Sequence, residues 1–395
     1  MKPRIGIVGS GFAGLALAIA LARKGHRPSI IEKRSEQQLL GEGLFVTLAP
    51  NGMNALRGLG LAEKALAQGV ETKGLVLHNE HGRLGDLDYR RHAQAFAAPS
   101  VTIRRGALGG ILLGAARAEA VDIRFGAAVQ AVTETDAEVR VTTDDGVEAA
   151  FDILVAADGL RSTVRQRVMP DLPAPVFNGL QGSGGIADIP DIPATNGRML
   201  MTFGRDAFLG YIKEENGPVY WFNTYRAGAD SRPARDEDLA RLLADLHRTD
   251  PEINRRIIAA ADPASLRVYP DYDMPGLPRW STARTVLVGD AAHAVTPHSG
   301  QGASMALEDA LVLAACIEAE ASPTGAFQRF ETLRRDRVAA AVRLGRQGGA
   351  PKKAQGWLAL RLRDLFLPLF VPLGQKAQER LFAYRADLHP LAPPD

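Results

Sequence analysis

Thiols are almost absent from this 395-residue chain, whose single cysteine is Cys316. That excludes an intramolecular disulfide and a cysteine-built metal site, and it suits a reducing, cytoplasmic setting. An excess of one charge is missing too. Forty-seven lysines and arginines face 45 acids, leaving +2, too little to imply a nucleic acid or a membrane surface as partner. Long apolar runs are lacking beyond the N-terminal stretch: no other uncharged apolar run reaches the roughly 18 residues that a membrane span needs. The nearest approach, Leu362–Gly374, is short and holds Pro368 and Pro372, so it reads as a buried or docking segment. Repeats and low-complexity tracts are absent, and the length suits two or three packing units.

What is present begins at once. "GIVGSGFAGLALAIALARKGHRPSIIEKR", Gly6–Arg34, opens with an apolar run behind Lys2 and Arg4, as a secretory signal would. Turn-forming glycines and the lack of a cleavage site before Arg23 argue against a signal. Arg4–Val8 reads as a buried strand, Gly14–Lys24 as a helix, and Ser29–Ile31 as a second strand ending at Glu32. Gly9 permits a tight turn, Gly11 lets the backbone approach a pyrophosphate, and Gly14 with Ala18 lets the helix pack close. The helix N-terminus offers free N–H groups, and Glu32 can accept ribose hydroxyls. This is a dinucleotide turn, which by itself leaves NAD and FAD open.

Two further stretches repeat the theme. In "FDILVAADGLRSTVRQRV", Phe151–Val168, a buried strand stops at Asp158-Gly159 and a helix starts near Ser162. Asp158 is there either a helix cap or a ligand contact. In "TVLVGDAAHAVTPHSGQGASMALEDALVLA", Thr285–Ala314, a strand stops at Gly289-Asp290. A loop with Pro297, Gly300 and Gly302 then leads into an amphipathic helix from about Ser304 to Cys316. Glycines at a helix start make a second anion-stabilising device.

Together these stretches resemble the signatures of the single-component FAD-dependent aromatic hydroxylases, the class of p-hydroxybenzoate and salicylate hydroxylases. "VTIRRGALGGILLGAA", with Arg105 and Leu108, and "GEGLFVTLAPNGMNALRGLGL", Gly41–Leu61, are similar to further segments of that family. One departure is Ser304, where some members carry asparagine. The resemblance implies an α/β fold, in which a Rossmann-like FAD-binding domain carries an inserted antiparallel-sheet substrate domain and a C-terminal helical segment. It places Gly9, Gly11, Phe12, Ala13 and Gly14 at the pyrophosphate, Glu32 and Lys33 at the adenosine ribose, and the Val129 backbone at adenine. Arg105 and Asp290 would serve the ribityl chain, Asp158 both FAD and nicotinamide, and Gly300, Gly302 and Ala303 the flavin edge. The implied chemistry is reduction of FAD by transiently bound NADH or NADPH, then oxygen transfer from O2 through a flavin C4a-hydroperoxide to an aromatic ring. A small aromatic, heteroaromatic or polyketide-like phenol is the expected substrate.

The expected organisation alternates FAD-binding segments 1–75, 98–175 and 281–348 with substrate-domain segments 76–97 and 176–280, followed by a helical region 349–395. "AFLGYIKEE" and "GPVYWFNTYR" read as strands joined at Asn216-Gly217, with Tyr220 and Phe222 on one face and Trp221 on the other. Tyr211, Phe222, Pro297 and His298 are the substrate-pocket candidates, though core packing is the default account of an aromatic such as Tyr211. No general base stands out. The tail, stopped by Pro390, Pro393 and Pro394, would pack behind the FAD domain or across a dimer contact, so monomer and homodimer both stay open. A same-fold reductase, oxidase or halogenase, or a non-catalytic FAD-binding partner, is the alternative; the Trp-rich motif usual in halogenases is absent.

Overall fold

The computed structural model describes residues 2–42, 44–228, 231, 236–263 and 266–392. Pro393 and Pro394 lie outside them. Four-residue apolar strands at Ile5–Val8, Ser29–Glu32, Asp122–Phe125 and Ile153–Ala156, with Thr285–Leu287, form one five-stranded sheet. All its pairings are parallel, with Gly6 opposite both Leu154 and Ser29. Parallel strands must be covered on both faces, which explains why Ile5–Val8 and Ile153–Ala156 are wholly buried. The helix Phe12–Arg23 packs against this sheet and against the 18-residue helix Gly302–Ala319. The Gly9–Gly14 turn, Glu32, Asp158 and Asp290 all lie at the carboxyl ends of strands in this one sheet, the edge where open α/β sheets bind ligands.

A second, seven-stranded sheet runs in the order 269–273, 176–187, 219–226, 207–213, 198–203, 74–79, 82–88. It is antiparallel except for one parallel pair, Arg198–Phe203 with Gly74–Asn79. Side chains alternate across it. Leu209, Tyr211, Trp221 and Tyr225 bury themselves under the helices Asp236–Leu246 and Glu252–Ala259. Ile212, Tyr220 and Phe222 emerge on the opposite face, towards Phe45.

The tail is helical, as expected, and Leu362–Gly374 is docked rather than buried: it is part of one helix, Trp357–Phe382, that runs through both Pro368 and Pro372 with Leu365 and Leu369 exposed. It ends at Phe382, before Pro390. Its partner is the edge strand Gly82–Asp88 of the large sheet. Asn79 Nδ2 donates to Asp364 Oδ2 at 2.8 Å, and Arg363 donates to the Phe203 and Gly204 carbonyls at 2.9 Å. These bonds hold the helix from outside, where the prolines remove internal ones.

Candidate active site

The glycine turn is dictated by contact. Gly9 sits at φ +104°, and a Cβ there would overlap the Ala157 carbonyl; one on Gly14 would overlap the carbonyl of Gly9. Gly11 faces open space in extended conformation at the helix start, where no side chain caps it and no acid stands in the first turn. The first helical N–H groups, at Phe12, Ala13 and Gly14, therefore have no partner within the helix. Glu32 steadies this turn. Its buried carboxylate accepts hydrogen bonds from Ser10 N and Oγ at 2.7 Å and from Arg34 N and Nε at 2.8 and 3.0 Å. Burial alone would raise its pKa, but the donors on Arg34 and Ser10 outweigh it and hold the group at about 2. Lys33 is exposed, and the cation beside Glu32 is its neighbour Arg34. Successive residues leaving a strand point in opposite directions, which turns Lys33 away.

Around the turn the other motifs gather. The Glu32 carbonyl accepts from Ala127 N at 3.0 Å, which brings up the strand that starts at Val129. Arg105 donates from Nε to Glu42 at 2.7 Å and lies 5.2 Å above the Phe12 ring. Asp158 abuts Gly9. One of its oxygens caps Val164 N at 3.1 Å, while Oδ1 is buried with no partner and burial raises the carboxyl's pKa. Gly289, at φ +56°, fits between Ala13 and Ala306 and so sets Asp290 between the two long helices. Asp290 opens to solvent on one side, yet enough protein surrounds it to raise its pKa, with His293 and Arg105 opposing the rise.

Gly300, at φ +62°, closes a short helical turn over Pro297–Ser299, and Gly302 and Ala303 begin the 18-residue helix. This start also lacks a side-chain cap and a first-turn acid. Beside it Asn51 Nδ2 donates to Gln301 Oε1 at 3.0 Å, leaving Asn51 Oδ1 and Gln301 Nε2 buried without partners. Ala49 N donates to Ser304 Oγ at 3.3 Å, so the strand Phe45–Leu48 runs past the helix start. Two uncapped helix ends, an ionised carboxylate and orphaned polar atoms along one sheet edge suit a dinucleotide that carries a flavin.

The pocket candidates separate. Phe222 meets Phe45 edge-on at 5.9 Å on the open face of the large sheet, and Pro297 is exposed. His298 is folded inward against Asp271 and Lys352. Tyr211 must be corrected: it pairs with Trp221 and lies on the helix-covered face, away from Phe222. A hairpin turning at Asn216 sets Tyr211 opposite Trp221, so the register was available in the sequence. Other residues escaped notice there. Glu308 and Asp309 are completely buried and bind Arg334 and Arg337 at 2.6–2.7 Å, and Asp309 also accepts from Gly289 N at 2.8 Å. Two adjacent acids inside an otherwise apolar helix were the signal.

Residues 2–347 match the model of the FAD-binding domain family. The protein is a member of that family. Over 365 residues, 90% of this chain and 92% of the relative, it is 31% identical to the aurachin C monooxygenase/isomerase of Stigmatella aurantiaca. It is also 31% identical to the 3-amino-4-hydroxybenzoate 2-monooxygenase of Streptomyces cremeus, covering 87% of this chain and 86% of that one. The fold is shared with Klebsiella pneumoniae HpxO complexed with FAD and uric acid, at TM-score 0.85, 22% identity and coverage of 96% and 97%. This family member is an FAD-dependent monooxygenase, and no described helix is long and apolar enough to cross a membrane.

Proposed function

We propose that the enzyme hydroxylates a small aromatic or heteroaromatic ring bearing a phenolic oxygen, with NADH or NADPH as transient electron donor and O2 as oxygen source. One observation carries the reading. The aromatic wall of Phe45, Tyr220 and Phe222 is tied to the uncapped start of the Gly302–Ala319 helix by the strand Phe45–Leu48, after which Ala49 N bonds Ser304 Oγ. Relatives named as hydroxybenzoate and aminohydroxybenzoate hydroxylases point the same way.

When bound, FAD supplies the electron storage and oxygen transfer that side chains lack. The chain's own residues bind and orient. The N–H groups of Phe12, Ala13 and Gly14 receive the pyrophosphate, and Glu32 and Asp290 accept hydroxyl hydrogens at the two ends of the cofactor. Arg105 adds a positive charge, and the Val129 backbone borders the adenine end. The N–H groups of Gly302 and Ala303 favour negative charge at the flavin edge by about 0.3–1 kcal/mol. Phe45, Phe222 and Pro297 keep water from the reacting ring.

Phenols should be offered with NADH or NADPH under 18O2 and the products weighed. One labelled oxygen atom per product is expected. Phenol-stimulated NAD(P)H oxidation without label would favour the same-fold reductase or oxidase reading.

A further inference from the structure

On the same face of the large sheet as Phe222 lies a cluster of titratable groups outside the flavin-binding motifs. Lys352 sits in a short helical turn, Ala350–Lys353, that follows the 27-residue helix Pro323–Gly349. Its Nζ lies 3.7 Å from the centre of the Phe208 ring and 5.9 Å from that of Phe222. It is also 3.0 Å from His298 Nδ1. His298 Nε2 is in turn 2.9 Å from Asp271 Oδ2, and both side chains are at least 96% buried. Asn178 Nδ2 donates to that same carboxylate oxygen at 2.6 Å.

The sequence is built to let these groups meet. Gly348 and Gly349 pass so close to His298 that a Cβ on Gly349 would lie 2.6 Å from its imidazole ring. The pairing is also left slack. His298 Nε2 meets Asp271 Oδ2 off the hydrogen-bond direction and is left without a partner, and the other carboxylate oxygen, Oδ1, is also buried and unpartnered. Unsatisfied buried groups cost stability, which a purely structural tie would not retain.

We propose that Lys352 is the base that takes the proton from the substrate's ring hydroxyl, with His298 and Asp271 as the positioning groups behind it. This rests on the phenol-hydroxylase reading above. The O–H bond breaks and its electron pair stays on oxygen, giving a phenolate. The neutral Lys352 amine binds the proton and becomes an ammonium that donates to His298 Nδ1. The phenolate is the more electron-rich ring, and so the better acceptor of oxygen.

The surroundings make such an amine available. Burial pushes the Lys352 pKa down to about 7, against the opposing pull of Asp271. Burial and the positive charge of Lys352 lower His298 to about 4, so His298 is neutral near pH 7. Lys353 adds a positive charge next in sequence, while Asp273 on the strand of Asp271 is paired with Arg346. From the large sheet, Phe208 and Phe222 present only rings.

The test uses FAD-loaded enzyme and a phenol that the wild type labels from 18O2. Labelled product per NAD(P)H consumed is followed from pH 5.5 to 10 in wild type, Lys352→Met and Lys352→Arg. Flavin absorbance and melting temperature establish that each variant is folded and loaded. Wild-type hydroxylation should rise with pH through about 7 as the amine loses its proton. Both variants should lose on the order of a hundredfold at neutral pH while substrate KM changes less than threefold. Their activity should recover only towards the phenol's own ionisation, near pH ~10. Arginine keeps the charge but does not cycle a proton, so full activity in Lys352→Arg, or an unchanged rise near pH 7 in Lys352→Met, overturns the assignment alone. Absence of labelled product from wild type with every phenol defeats the underlying reading and the assignment with it.

Discussion

Glu32 shows how much one side chain does before any ligand arrives. Five donors reach it, all from Ser10 and Arg34, so the carboxylate proposed to meet the ribose also fixes the glycine turn. Its folded pKa of about 2 lies below the ordinary 4.5, so the ionised form stabilises the native state. That contribution, about 3 kcal/mol at 1.36 kcal/mol per unit, is fully present above pH 4.5 and lost as pH falls towards 2. In unfolding measurements on the cofactor-free protein, Glu32→Gln should be less stable than wild type at pH 6. The gap should narrow steadily below pH 4.5; a gap that stays constant through that window would contradict the argument. The sequence pointed to Glu32 because a strand ending in an acid is a local pattern. That Arg34 rather than Lys33 would pair with Glu32 was not legible, because which of two adjacent cations turns back depends on the exit angle of the chain, not on composition.

Among elements, local pattern made the parallel strands and the two glycine-led helices readable, since both periodicity and turn chemistry lie within a few residues. What holds those helices in place was not readable. Arg334 reaches Asp309 and Glu308 across 25 and 26 residues of sequence, and nothing local distinguishes it from the other arginines of its helix. The tail was legible as helical, but not what holds it: a helix that runs through Pro368 and Pro372 is gripped from the neighbouring sheet by Asn79, Phe203 and Gly204. The buried ion network has a measurable consequence. Arg334→Met strands part of two carboxylates inside the protein and should cost about 3–5 kcal/mol in denaturant unfolding. Because Asp309 also holds Gly289, it should weaken FAD retention on gel filtration as well. A variant of wild-type stability would show that Arg337 and His293 satisfy both acids alone.

At the scale of the molecule, segments far apart in sequence meet along one sheet edge: Gly9–Gly14, Glu32, Arg105, Asp158 and Asp290, with Gly302 across from them. None of them makes a site alone, because each offers one uncapped helix end, one carboxylate or one cation. A ligand that touches all of them binds only the folded chain, so FAD and folding are thermodynamically linked. At a hundredfold excess over its Kd, free FAD should stabilise the protein by about 2.7 kcal/mol, read as a rise in the thermal midpoint of the apo-protein that grows with the logarithm of FAD concentration. Under the proposed binding mode Asp290→Asn alters one end of the cleft and Glu32→Gln the other, yet both should shift the same curve to higher FAD concentration, since each would remove a contact to one molecule. AMP covers only the adenosine end, so its smaller stabilisation should depend on Glu32 and not on Asp290. If Asp290→Asn weakened AMP and FAD equally, the two acids would not be serving opposite ends of a single ligand.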